Sequence, residues 1–332
     1  MAWKDACRRL TQGIPPLLAI LAFVHPIARI FARWDWRLDL LSHFQEPALA
    51  ITLVALVATL WTRRRSVVLL LLLTAFQVEP VLRYSLGNPV KPATANSPRL
   101  RILMANVLVD NHDHEPLERL IYETKPDVVG LVEVSDEWIA GLADVANEYP
   151  YRYNFPDGPR GLALWFKEPP IAIDPPERLT AEGWPYIRAT FTFAGETRRL
   201  WLVHPASPMR RLGRDRGFPE LAALAERIGA DGGSTIVLGD MNTTDGSPHF
   251  RDFARVAGLR DSRLGFGRQA SWPVGSPYQI TIDHALLSKD LAVVDRIPGP
   301  AIGSDHRPFS LIVAPSANAP STRAAAASAS PR

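Results

Sequence analysis

The sequence predicts an α/β domain, with sheets covered by helices, standing behind an α-helical transmembrane region. Three observations carry this. Three apolar stretches precede residue 85. Between residues 99 and 314, short β-branched runs alternate with amphipathic helical patterns, which favours layered sheets and helices. Acids, amides and histidines stand where several apolar runs end, the place where a rigid scaffold presents side chains to a cleft.

The apolar stretches come first. Ile14–Phe31 follows Lys4, Arg8 and Arg9; the second runs from about Pro47 to Trp61; the third, Ser66–Leu82, holds five consecutive leucines. Crossing the hydrocarbon takes roughly 20 residues, with a lower limit near 17. The third stretch meets that limit, and the first passes with His25, Pro26 and Arg29 inside it. The second is long enough only if Leu38–Phe44 dips into the interface beside it. None shows the polar stripe of a half-buried helix. No small-x-small cleavage site follows the first, and two more stretches come after it, which argues against a signal peptide. The clusters Lys4/Arg8/Arg9 and Arg63/Arg64/Arg65 belong on the cytoplasmic side, so the chain beyond about residue 85 is expected outside, although Arg29, Arg33 and Arg37 pull the other way.

Composition narrows the rest. With 47% hydrophobic and 21% charged residues, the chain is no coiled coil, collagen or wholly disordered polymer. A single cysteine, Cys7, excludes a disulfide framework or a zinc site built on several thiolates. Eleven Lys/Arg against five Asp/Glu in residues 1–98 put +6 there and −3 in the remainder. The basic excess therefore belongs to the N-terminal third and does not mark a nucleic-acid-binding domain. Residues 1–85 read as the membrane region, 86–98 as a Pro/Gly/Ser/Asn linker, 99–314 as the α/β domain and 315–332 as a low-complexity, disordered tail.

Within the domain, Arg99–Val109 reads as a strand running into a loop, and Glu115–Glu123 as a helix stopped at Lys125-Pro126. Asp127–Val134 and Gly161–Trp165 read as strands. Leu200–Val203 is a strand and Pro219–Ile228 a helix. Thr235–Leu238 runs into Gly239-Asp240, Pro248–Val256 is a helix, and Ile280–Leu287 and Phe309–Val313 close the set as strands. This alternation alone leaves open a single doubly wound sheet or a helix-covered two-sheet sandwich.

The polar strand ends are Asn106, Glu133, His204, Asp240 with Asn242, Asp283, and Asp305-His306. Singly each has a structural explanation: an edge acid, a satisfied imidazole, an Asx-turn, a surface loop. Asp283 is different, because it interrupts the apolar run Ile280–Leu287, where a charge needs a partner such as histidine. Together the set has a chemical logic. Glu133 with further oxygen donors suits Mg²⁺ or Mn²⁺ rather than zinc. A carboxylate–histidine pair orients and charges an imidazole. Asn242 and a second histidine can donate to phosphoryl oxygens, while Asp240 holds or deprotonates a water. These are the parts for hydrolysing a phosphate ester.

In order and spacing, Asn106, Pro126-Asp127…Leu131…Glu133, His204, Gly239-Asp240…Asn242, Asp283 and Ser304-Asp305-His306 resemble the endonuclease/exonuclease/phosphatase superfamily, over roughly residues 99–314. The resemblance implies a four-layer αββα sandwich of the deoxyribonuclease-I-like kind. It implies a Mg²⁺ or Mn²⁺ cofactor held by Glu133, with Asn106 and Asp305 completing the shell directly or through water. It gives Asp240 the attacking water, Asn242 the scissile phosphate, and His306, paired with Asp283, the role of base or transition-state stabiliser. His204 falls opposite as phosphate donor or general acid. With apolar segments ahead of such a domain, the chain is similar to a bacterial membrane-anchored branch, which places it as a multi-pass protein of the inner membrane with its domain periplasmic or extracellular.

Two departures stand out. Leu108 occupies a position that is polar in many nuclease members, and no tyrosine is clearly catalytic, Tyr151 and Tyr153 reading as core-edge aromatics. The expected activity is a membrane-anchored, metal-dependent phosphoesterase, either nuclease or phospholipase C-like. The alternative is an inactive family member serving as a membrane-tethered binding module. A transporter or sensor has little intramembrane charge to support it. Arg210, Arg211 and Arg214, near Arg216, are candidates to grip phosphate, although a solvated basic face explains them too. Expected partners are the phosphate-ester substrate, nucleic acid or phospholipid headgroup, and the bilayer, with no protein partner.

Overall fold

The structure is a computed structural model describing residues 2–61, 67–87, 90–179, 183–209 and 211–317; the side chains of residues 2–16 and 211–217 fall outside that description. Four helices come first: α1 (Ala2–Phe31), α2 (Trp36–Ser42), α3 (Gln45–Trp61) and α4 (Val67–Leu86). Among the described residues, α4 is long and apolar enough to cross a membrane; α2 and α3 qualify only together, bent by 71° at their break, and Leu17–Phe31 is a shorter apolar helix. The bend falls inside Leu38–Phe44, the stretch whose sequence asks for an interfacial course. Ala22, Ala55 and Leu70 pack between helices, where Gln77 Nε2 donates to Thr52 Oγ1 at 2.9 Å. Val54, Val57, Val68 and Leu72 face outward, an apolar surface of the kind that marks a membrane or partner contact.

The remaining described residues fold into two six-stranded sheets. Its elements are β1 (Leu100–Asn106), α5 (Glu115–Thr124), β2 (Val128–Val132), α6 (Asp136–Gly141), α7 (Ala143–Ala146), β3 (Tyr151–Phe155) and β4 (Leu162–Phe166). There follow β5 (Ala172–Ile173), β6 (Tyr186–Phe193), β7 (Glu196–Val203), α8 (Arg211–Asp231), β8 (Ser234–Asp240) and α9 (Pro248–Val256). The last four strands are β9 (Arg260–Asp261), β10 (Asp283–Leu287), β11 (Leu291–Pro298) and β12 (Phe309–Pro315). One sheet has the order β11-β12-β1-β2-β4-β3 and the other β5-β6-β7-β8-β10-β9.

Strand periodicity explains the layering. In β1, Ile102 and Met104 point to the core between the sheets, while Leu103 and Ala105 pack outward with Leu117 and Trp138 of α5 and α6. In β7, Leu200 and Leu202 point inward, whereas Trp201 and Val203 pack against Leu221 of α8 and Phe253 of α9. The order helix, sheet, sheet, helix is the sandwich, and it decides the choice that alternation alone left open. Gly130 of β2 faces the middle of this core, where a Cβ would lie 3.1 Å from Leu202 Cδ1.

Parallel pairing places the strand ends. β1 runs parallel to β2, and β7 parallel to β8, so Asn106, Glu133, His204 and Asp240 emerge near the same edge of the sandwich. β10 runs antiparallel to β8 with Asp283 opposite Asp240.

Some boundaries differ from those the sequence marks. The helix expected at Pro219 begins at Arg211 and carries Pro219 inside it. The strand expected from Ile280 begins at Asp283, because Ile280 pairs instead with Trp272 through backbone hydrogen bonds. The linker is pinned: Ala93 N–H donates to Pro315 O and Pro92 bridges Ser316. The expected tail from 318 onward lies outside the described residues, as does the basic cluster Arg63–Arg65.

Candidate active site

Glycine makes the first approach possible. At Gly239, φ is 152°, and a Cβ there would meet Val203 O at 1.8 Å. Only a residue without a side chain lets β8 close on β7 at the point where His204 and Asp240 leave their strands. Serine ties the last motif to the first: Ser304 Oγ donates to Asn106 O at 2.9 Å and accepts from His306 N–H at 3.0 Å.

Asp240 is the focus. Its Oδ1 accepts Asn242 N–H at 2.8 Å, and its Oδ2 accepts Asn106 Nδ2–H at 3.1 Å. His204 Nε2 lies 3.6 Å and His306 Nε2 3.7 Å from that same Oδ2. Asn106 also donates from Nδ2 to Glu133 Oε1 at 2.9 Å, bracing two carboxylates from two sheets. Its own Oδ1 accepts Leu108 N–H at 3.0 Å.

His306 is held from behind. Its Nδ1 lies 2.8 Å from Asp283 Oδ2, both groups being buried, and this supplies the partner that Asp283 requires. Burial alone would lower the His306 pKa, but Asp283 and then Asp240 outweigh it and push it up to about 10. Burial raises the Asp283 carboxyl, but His306, Ser271 and His284 together bring it below its ordinary value. Asp240 goes the other way: burial, then the charge of Asp283, raise it to about 7. The geometry therefore holds His306 Nε2, fixed by Asp283 behind it, beside the Asp240 carboxyl.

The carboxylate oxygens fit a hard divalent cation. One each from Glu133 and Asp240 lie within 4.8 Å of one another and of a His306 ring nitrogen. Asp305 Oδ1 is buried with no hydrogen-bond partner and sits 3.8 Å from His306 Nε2, while Trp272 Nε1–H holds the other oxygen at 2.8 Å. Carboxylate oxygens gathered this closely need a cation or protons between them.

Most of the expected residues thus converge: Asn106, Glu133, His204, Asp240, Asn242, Asp283, Asp305 and His306 share one edge. Asn242, at φ 51°, spends an amide N–H on Pro205 O at 3.1 Å and still lines the cavity. Asp127 does not join them; it caps the opposite end of β1 by accepting Arg101 N–H at 2.7 Å. Tyr151 and Tyr153 lie on β3 and are absent from the cavity lining. Arg210 and the side chains of Arg211 and Arg214 fall outside the described residues.

Residues no motif points to also line the cavity. Trp184 packs edge-on against His204 with centroids 4.8 Å apart, and Trp272 positions Asp305. The α2–α3 elbow adds Leu40, His43 and Phe44. For the tryptophans no sequence signal existed; for the elbow the interfacial stretch was the signal.

A family-level sequence comparison matches residues 105–306 to the Endonuclease/Exonuclease/phosphatase family. Comparison with curated proteins gives no match. Among solved structures, humanized D. rerio TDP2 carrying 14 mutations is similar at TM-score 0.54 and 18% identity, covering 65% of this chain and 98% of that one. D. rerio TDP2 complexed with single strand DNA product gives 0.53 and 19%, covering 65% and 98%. An endonuclease/exonuclease/phosphatase family protein from Leptotrichia buccalis gives 0.53 and 16%, covering 64% and 99%. At these identities the likeness is one of fold.

Proposed function

The chain belongs to the endonuclease/exonuclease/phosphatase family, and from that premise we propose that it is a membrane-anchored hydrolase of phosphate esters, dependent on Mg²⁺ or Mn²⁺. The observation that carries the reading is the convergence of Glu133, Asp240 and His306 at one edge, with Asp283 behind the histidine. D. rerio TDP2 holds a single strand DNA product on this fold, which supports a phosphate ester as substrate.

The residues divide the work. Glu133, with oxygens of Asp240 and Asp305, would hold the cation, and Asn106 keeps Glu133 and Asp240 in place. When bound, the ion neutralises charge on the phosphoryl oxygens. Asp240 orients a water and accepts its proton as the water oxygen bonds to phosphorus. The phosphorus–oxygen bond to the leaving alcohol breaks, and that alkoxide takes up a proton. His306, charged and fixed by Asp283, donates from Nε2 to a phosphoryl oxygen whose charge grows in the transition state. Asn242 and His204 flank the same position.

Anchoring belongs to this proposal. The apolar outer surface of α1, α3 and α4 supports burial in a bilayer, and the basic clusters at residues 4–9 and 63–65 support an inner-membrane orientation with the domain on the periplasmic or extracellular side.

The test uses the full chain in detergent with p-nitrophenyl phosphate and bis(p-nitrophenyl) phosphate. Hydrolysis of at least one is expected with Mg²⁺ or Mn²⁺ and not with chelator. Asp240→Asn should lower it by about 10²–10⁴-fold. Absence of metal-dependent hydrolysis of either ester leaves the inactive binding module as the surviving reading.

A further inference from the structure

The helical region supplies part of the catalytic cavity. That cavity, of about 320 Å³, is lined by Glu133, Asp240 and His306 and also by Leu40 and Phe44 of the α2–α3 elbow, with Met209 and Ile280. Building on the phosphoesterase reading, we propose that the substrate is a lipid-linked phosphate ester, its apolar chain lying against Leu40 and Phe44 and its phosphate against His306 and Asn242.

Three features support this occupant. First, the elbow is built in and is no loose tether. Ser247 Oγ donates to Asp39 Oδ1 at 2.6 Å, His43 Nδ1 lies 2.9 Å from Thr244 Oγ1, and all four residues are buried. Arg268 Nε pairs with Glu46 at 2.8 Å, and Tyr84 OH donates to Asp261 at 3.2 Å. The same loop that carries Asn242, residues 242–247, is thereby seated on α2.

Second, the described lining sets Leu40, Phe44, Met209, Ile280 and Ile282 beside its polar groups. A polynucleotide binds through many phosphates, each asking for a cation, with bases stacked on free aromatic faces. Here Trp184 is packed edge-on against His204. A single phosphate beside the polar groups with hydrocarbon against the apolar ones matches the described lining better.

Third, the apolar wall continues outside. Phe44 both lines the cavity and is 38% exposed, and it opens α3, whose Val54 and Val57 present apolar side chains outward. A chain resting in the bilayer beside α3 would meet Phe44 on its way to the phosphate site.

The test uses the full chain in detergent micelles with methyl, butyl, octyl and dodecyl p-nitrophenyl phosphates, read by nitrophenolate release. Water bonds to phosphorus and the nitrophenolate oxygen departs, while the alkyl ester stays, so the headgroup is constant. The proposal expects kcat/KM to rise by at least about tenfold from methyl to octyl, as methylenes leave water. Phe44→Ser and Leu40→Gln should flatten that rise, chiefly through KM. Leu41→Ser, next to the wall but exposed and outside the lining, should preserve it. A flat series, a rise that survives both wall substitutions, or faster cleavage of a single-stranded oligonucleotide overturns the lipid assignment. Absence of hydrolysis across every ester, methyl included, overturns the phosphoesterase reading itself. Should a wall variant fail to fold, the wild-type series and the oligonucleotide still decide.

Discussion

His306 Nδ1 sits 2.8 Å from Asp283 Oδ2 in a buried pair, with the opposite ring nitrogen turned toward Asp240 at 3.7 Å. Asp283 thus gives His306 both its charge and its direction. Replacing Asp283 by Asn keeps the shape and removes the charge. The kcat for bis(p-nitrophenyl) phosphate should fall by about 10²–10⁴-fold in Asp283→Asn. His306→Ala should fall by a similar factor, and the double variant little further, because the two act as a unit. Additive losses in a double-mutant cycle would break the pair.

Asn106 offers a separate test of the cation's surroundings. It braces Glu133 and Asp240 through its amide nitrogen. Asn106→Ala should raise the Mg²⁺ concentration for half-maximal activity by about 10–100-fold, as losses of such supporting bonds do. A Mg²⁺ titration of rate reads this directly, and an unchanged midpoint would remove Asn106 from that role.

Stability has its own marker. Arg263 is buried against Asp261 at 2.7 Å and Asp245 at 2.9 Å, and this holds the Asp261 carboxyl, otherwise raised by burial, at about 2. Arg263→Met leaves those carboxylates uncompensated and should cost about 3–5 kcal/mol. Thermal melting of the detergent-solubilised chain measures it.

Acid should act through His284. This ring is buried, 2.9 Å from Thr243 O, and burial followed by the charge of Arg263 pushes its pKa from 6.5 down to about 4. The folded state resists protonation that the unfolded chain accepts, so this contribution is intact above pH 6.5 and is lost as pH falls toward 4. His284→Asn should melt lower at pH 8 and lose that share of the decline between those limits. Parallel melting curves for the two proteins would contradict it.

Orientation is testable in a bacterial host. A phosphatase reporter fused after Ala317 should be active and a cytoplasmic reporter silent; the reverse pattern would place the domain inside.

Much of this was legible because periodicity and strand ends are local. Ile102 and Leu103 announce opposite faces by alternation alone, and Glu133, His204 and Asp240 each end an apolar run. What stayed hidden depends on distant contacts. The amide of Asn106 turns as it does because Asp240 lies 134 residues on, and Trp272 acquires its role only when Asp305 arrives beside it. The elbow was readable as interfacial, yet nothing local places Leu40 beside a catalytic loop two hundred positions away. The two-residue strands β5 and β9 carry no period to read.

Glu133 hangs from one sheet and Asp240 from the other, so the interior between them behaves as a caliper whose jaws are the reacting groups. At Gly130 the filling is thin, a Cβ there coming within 3.1 Å of Leu202 Cδ1 across the interior. Turnover is expected to feel a Gly130→Ala methyl if Leu202 yields by moving its sheet, and to ignore it if the side chain alone gives way.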